Sequence, residues 1–322
     1  MNPDYLLLEI SATAFFIGAA VAALRRGRLP FLELISAATF GILLEELDQL
    51  IFQTYHYNPS WTLEIDRAPV VIGLTWALII AGAMRLTDAL GVRRRYAPVV
   101  DSVLAISLDL AFDAIAIRMG LWTWVGIDPA DGWFGVPYGN FYAWLFVTFG
   151  FSLLTRWLRE AARTRPSLEW LQLLVPFPAF VLLIAGLIPF IAIKPLVDSA
   201  PGGGGVPFAV AMLAFLAVAI WAVAYDRGEP DGSRMAILDL RLATWTRVAI
   251  HGYFLAALVV MGLADDLPVL LIVAVVLLLA ELPLALLVRR RQREGANELK
   301  SSTQGLDSDE GQPVSGRTAT AR

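Results

Sequence analysis

The sequence predicts an all-α fold: a polytopic integral membrane bundle of about nine transmembrane helices, N-terminus outside and C-terminus cytoplasmic. Three observations predict it. The 322 residues are 57% apolar and only 17% charged, against about 45–50% and about 25% in soluble domains. Mean hydropathy is +0.65. Arginines gather in every second loop, as the positive-inside rule requires of a chain that crosses repeatedly.

A helix needs about 20 mostly apolar residues to cross the hydrocarbon core. Windows of that length give spans at 5–24, 31–53, 67–90, 98–118, 140–158, 170–193, 206–225, 247–263 and 267–288. The first is not a cleaved leader, because "MNPDYLLLEI" lacks a basic start and "RRGR" follows the apolar run. Arg25, Arg26 and Arg28 follow span one, and Arg93–Arg95 follow span three. Arg156, Arg159, Arg163 and Arg165 follow span five; Arg227, Arg234, Arg241 and Arg247 follow span seven; Arg289–Arg291 and Arg293 follow span nine. The intervening loops hold little positive charge, so the basic loops are assigned to the cytoplasm. Within 226–246, "RMAILDLRLATW" reads as a helix lying flat on the inner surface. Residues 1–293 form the transmembrane domain, and the polar stretch 294–322 reads as a disordered cytoplasmic tail. With no cysteine, disulfides and thiolate nucleophiles are excluded, and two histidines make a multi-histidine metal centre nearly impossible. No metal, cofactor or nucleic acid is expected.

Carboxylates inside apolar spans are costly and mark function by default. Span two carries Glu45, Glu46 and Asp48 in "GILLEELDQL"; span four carries Asp109 and Asp113, which at i,i+4 share one helical face. At 1.5 Å per residue, Asp48 and Asp113 both lie roughly 8 Å below the outer ends of their spans, and Asp109 roughly 14 Å. The loops above are rich in rings: "QTYHYNPSW" at 53–61 and "GLWTWVGIDPADGWFGVPYGNFYAW" at 120–144. Asp101 reads as a solvated end charge near Arg93–Arg95, Glu281 as a companion of the Pro283 kink, and His251 as a satisfied core histidine. No phosphate loop, Ser/His/Asp set or HExxH is present. The remaining chemistry is carboxyl acid–base work. A carboxyl kept neutral in an apolar site can protonate an alkene, aromatic faces can shelter the cation, and a second carboxylate can orient water.

Between about 42 and 158 the chain resembles the carotenoid biosynthesis membrane-protein family. Its characterised members are carotenoid 1,2-hydratases acting on the acyclic ψ-end, of the γ-carotene and bisanhydrobacterioruberin hydratase type. The resemblance rests on "LLEELDQ", the Tyr55–Tyr57 pair, Pro69 and Trp76 in "APVVIGLTW", "DLAFDAIAIRMGLWTW", and "WFGVPYGNFYAW". The chain has Ile51-Phe52-Gln53 where that family usually has Pro-Phe-Gly, and Asp113-Ala114 where it usually has Asp-Pro. The resemblance implies a cofactor-independent lyase that adds water to the terminal C1=C2 bond of a polyene in the cell membrane. It also leaves room for association with other carotenoid enzymes. Asp113, Asp109, Glu46 and Glu45 are then the catalytic carboxyls. Tyr55, His56, Tyr57, Trp76, Trp122, Trp124, Tyr138, Asn140, Phe141 and Trp144 are the residues expected around the substrate. The rivals are an acid-initiated carotenoid cyclase, although its Pro-x-Glu-Glu element is missing, and a membrane prenyltransferase using "DLAFD". A proton-coupled transporter or carotenoid-binding scaffold is the rival of another class.

Overall fold

A computed structural model of the protein describes residues 3–200, 202–226 and 237–309. It is an all-α bundle: α1 (Pro3–Arg26), α2 (Arg28–Leu47), α3 (Val70–Ala89), α4 (Ala97–Ala116), α5 (Tyr138–Thr164), α6 (Pro176–Val197), α7 (Gly205–Ala224), α8 (Ile237–Val260) and α9 (Pro268–Asp309). Among the described residues, α1, α3 and α5–α9 make seven helices long and apolar enough to cross a membrane. The other two, α2 and α4, are the helices that carry Glu33, Glu45, Glu46, Asp101, Asp109 and Asp113. The α2–α3 and α4–α5 connections hold two short antiparallel ladders: β1 (Tyr55–Tyr57) with β4 (Trp122–Trp124), and β2 (Glu64–Ile65) with β3 (Ala68–Pro69).

Proline and glycine set several boundaries. Pro98 and Pro176 sit in the first turns of α4 and α6, where a missing N–H costs nothing. Gly27, at φ 129°, separates α1 from α2. The centre is held by α2, α3, α4 and α5, with Phe40, Ile80, Leu86, Ile106, Leu108, Phe141 and Phe151 fully buried. Two glycines bring α2 and α3 together. A Cβ on Gly41 would lie 2.5 Å from Cβ of Trp76, and one on Gly73 would lie 2.5 Å from Cγ1 of Ile42. Small residues at such contacts are how helices approach closely in lipid. By contrast, α6, α7 and α9 present Val181, Leu213 and Leu279 outward.

Several expectations from the sequence fail in the folded chain. Span six begins not as α-helix but as a 3-10 helix, Pro166–Leu174, whose Trp170 is exposed beneath the Arg28 guanidinium. From Ile237 onward, the segment read as a flat surface helix is the first part of α8; residues 234–236 lie outside the described ones. The last helix runs on to Asp309, past the boundary placed at 294, and 310–322 lie outside the described residues.

The end of the bundle away from these ladders contains an ion network. Asp101 is not a solvated end charge: it is fully buried, accepts from Ser152 Oγ at 2.5 Å and pairs with Arg156 at 2.9 Å. Arg156 also pairs with Asp88, which pairs with Arg159 at 2.9 Å; Arg159 pairs with Glu33 at 2.5 Å. Thus Arg156 and Arg159, read as loop arginines, lie within the bundle and tie α2, α3, α4 and α5 together. Arg247 likewise pairs with Glu281 at 2.7 Å, and His251 Nε2 lies 3.3 Å from the same carboxylate. Glu281 is therefore an ion-pair partner rather than a companion of the Pro283 kink. Buried charges persist in such settings when each has a close opposite charge.

Candidate active site

After Glu45, α2 ends in a single π-helical turn, Asp48–Phe52, capped by Gln53 in the left-handed region at φ 51°. The chain then turns into β1. Its register with β4 pairs Tyr55 with Trp124, His56 with Thr123, and Tyr57 with Trp122. Alternation along a strand sends neighbours to opposite faces, so Tyr55, Tyr57, Trp122 and Trp124 face inward while His56 and Thr123 are exposed. The inward rings meet edge to face: Tyr55–Trp124 at 4.9 Å and Tyr57–Trp122 at 6.0 Å.

Beneath this ladder lies a cavity of about 490 Å³. Glu45, from α2, is the most heavily partnered acid in its wall. Its Oε2 accepts from Tyr57 at 2.7 Å and from the Tyr55 hydroxyl, and its Oε1 accepts from Trp76 Nε1 at 2.7 Å. Burial, and after it the Glu45 carboxyl, push both phenols well above their ordinary range, so they remain O–H donors. Opposite, Asp113 lines the same cavity from α4. Asn140 Nδ2 donates to Asp113 at 2.6 Å and to Asp109 at 3.2 Å, joining the i,i+4 pair through one amide. Asp48 also borders the cavity and accepts from Thr54 at 2.5 Å. The Trp76 and Trp144 ring centroids lie 4.2 Å apart, and Phe112 meets Trp144 at 5.7 Å.

Of the expected site residues, the structure brings Glu45, Asp113, Tyr55, Tyr57, Trp76, Trp122, Trp124, Asn140 and Trp144 into one wall. Five lie elsewhere. Glu46 accepts from the backbone N–H of Arg67 and Ala68 at 2.9 and 2.7 Å, clamping the start of β3. Asp109 is buried behind Asn140 and outside the lining, with Oδ1 unpartnered. His56 faces out. Tyr138 and Phe141 pack on Phe208, 6.1 and 5.6 Å away. Phase separates the chain neighbours among these residues. Glu46 is one helical residue, about 100°, from Glu45, and Phe141 is one residue from Asn140. His56 falls on the opposite side of its strand from Tyr55 and Tyr57.

Sequence reasoning did not single out Trp61, Phe112, Phe180, Tyr253 or Phe254, all of which line the cavity. Trp61 stood in the aromatic loop already noted. The others lie at ordinary core spacing on α4, α6 and α8, where nothing distinguishes a cavity wall from a packed interface. Among the described residues, the lining contains no Lys or Arg, so the site offers acids, phenols, indoles and apolar surface, but no cation to hold a phosphate.

No curated protein and no solved structure matches the chain. The carotenoid biosynthesis protein family matches over residues 2–199, wider than the 42–158 resemblance and covering α1–α6 with both ladders. On that match, the chain belongs to the carotenoid biosynthesis protein family.

Proposed function

We propose that the protein is a cofactor-independent carotenoid 1,2-hydratase of the cell membrane, adding water to the terminal C1=C2 bond of an acyclic polyene end. The observation that carries this reading is the presence of Glu45 and Asp113 in the wall of one cavity otherwise built largely from rings and aliphatic side chains. All nine helices cross the bilayer in this reading, with the N-terminus outside, so the cavity lies toward the outer surface where a polyene end meets water.

The Asp113 carboxyl gives its proton to C2, and the π electrons of C1=C2 form the new C–H bond. The positive charge appears at tertiary C1, where Trp122, Trp124 and Tyr57 face it. A water oxygen bonds to C1 and loses a proton to Glu45, whose carboxylate three donors hold in place. Proton return from Glu45 to Asp113 resets the site, and the net change is one added water. Asn140 fixes the Asp113 carboxyl, and Asp109 acts on it through the same amide. Glu46 serves the outer ladder instead of the water.

Expression in a lycopene-producing host, with pigments resolved by chromatography and mass, tests this. A product heavier by the mass of one or two waters is expected, and Asp113→Asn should abolish it while the protein still accumulates in the membrane. Unchanged hydration in Asp113→Asn removes that residue from the mechanism. A cyclic isomer of unchanged mass means that the same acid starts ring closure. Transfer of a prenyl diphosphate is disfavoured by the cation-free wall.

A further inference from the structure

The substrate of the proposed reaction lives in lipid, so it has to reach a cavity roofed by the aromatic ladder. Within that roof, Trp61, Leu121 and Trp122 are buried. Hydrogen bonds from Tyr5 Oη and Asn58 Nδ2 to the Gly120 carbonyl, at 2.6 and 3.0 Å, tie the roof down.

The side wall differs at two places, the π-helical turn of α2 and the last turns of α6. Phe52, 48% exposed, and Ile191, 62% exposed, lie on the outer surface of the bundle and also line the cavity. Large apolar side chains that belong to both surfaces are what a mouth opening into acyl chains requires. The α6 segment bordering it is also interrupted in its hydrogen bonding. Pro189 lies inside α6 and has no N–H, so the Ala185 carbonyl loses its helical partner, and a helix bends most readily at such a residue. Beyond the hinge, Phe190 packs under Gly204, and Asp198 accepts from the backbone N–H of Gly204 and Gly205 at 2.5 and 3.0 Å, so the far end of α6 stays pinned. At Phe52, the π-turn departs from α-helical hydrogen bonding, as such turns often do beside functional sites.

We propose that this mouth is a lateral portal through which an acyclic polyene end passes from the outer lipid leaflet to Glu45 and Asp113, with Phe52 and Ile191 as its jambs and Pro189 as the hinge. The inference rests on the hydratase reading for its substrate, and its test separates the two.

The chain has no cysteine, so Ile191→Cys and Phe52→Cys each introduce a single thiol. Ile188→Cys is the control: it lies on the same helix as Ile191, and Ile188 is 61% exposed but outside the cavity lining. Each full-length variant in lipid nanodiscs is labelled with membrane-soluble methanethiosulfonates of increasing bulk. It is then given lycopene, with uptake followed by quenching of tryptophan fluorescence and hydration by product mass. Bulky labels on the Ile191→Cys or Phe52→Cys variant should slow both uptake and hydration by about tenfold or more, with recovery on reduction, while labels on the Ile188→Cys variant change neither. Full labelling of both jamb variants without loss of uptake overturns the portal. Uptake that responds to the labels without hydration in any sample keeps the portal and overturns the hydratase.

Discussion

Glu45 organises more of the site than any other residue, because three side chains from the outer ladder and α3 converge on its two oxygens. Tyr57→Phe removes one donor and leaves the ring. A hydrogen bond to a charged acceptor is worth about 1.5–3 kcal/mol, so hydration should slow by roughly ten- to a hundredfold, read as product formed per protein. At the other end of the bundle, Arg156→Met leaves Asp88 and Asp101 without a shared counter-charge. Breaking such a buried pair costs about 3–5 kcal/mol, so this variant should melt well below the parent in detergent even though it lies far from the cavity. At this scale the sequence was informative about residue type and weak on partners. Asp101 and Asp113 look alike, each an aspartate on α4, yet Arg156 and Ser152, more than 50 positions away, make one structural, while the cavity takes the other. Glu45 and Glu46 are adjacent, and only helix phase separates a cavity acid from a strand clamp.

At the level of elements, α2 and α3 approach closely through Gly41 and Gly73. Gly41→Ala drives a methyl against Cβ of Trp76, the residue that donates to Glu45. The expected result is a loss of about 1–3 kcal/mol from overpacking together with reduced hydration, checked by melting and by product yield on the same sample. Element positions were largely legible, since apolar runs of membrane length have few other readings. Element ends were not. Span six was expected to start as α-helix, but Pro166–Leu174 forms a 3-10 helix between Arg165 and Pro176. The Gln53 position is instructive: where the resembling family usually has glycine, this chain places a side chain at φ 51°. The left-handed cap is therefore made here without the residue that announces it.

For the whole molecule, the proposed nine crossings make a simple forecast. Reporter fusions after residue 165 and after residue 293 should be cytoplasmic, and fusions at 58–60 and at 201–203 should be external. A cytoplasmic reporter at 58–60 would overturn the orientation. The alternating arginines suggested this arrangement, yet Arg156, Arg159 and Arg247 turn out to serve ion pairs inside the bundle. The orientation signal then rests mainly on Arg25, Arg28, Arg93–Arg95, Arg163, Arg165 and the group after span nine. Hydropathy could not reveal the sharing of one charge between topology and packing, because both uses place arginine at the inner end of a helix. The carboxylates were legible for the opposite reason: nothing in lipid excuses an unpaired acid, so each had to find a partner or a site.

The roof over the cavity is only three residues wide on each strand, with Tyr55 and Tyr57 turned in and His56 turned out. Such a strip has parity. Slipping β1 against β4 by a single position would present an imidazole where two phenols stand, strip Glu45 of two of its three donors and expose both tyrosines. Insertions and deletions in the 53–58 segment should therefore be far more damaging than substitutions there, whatever residue they add.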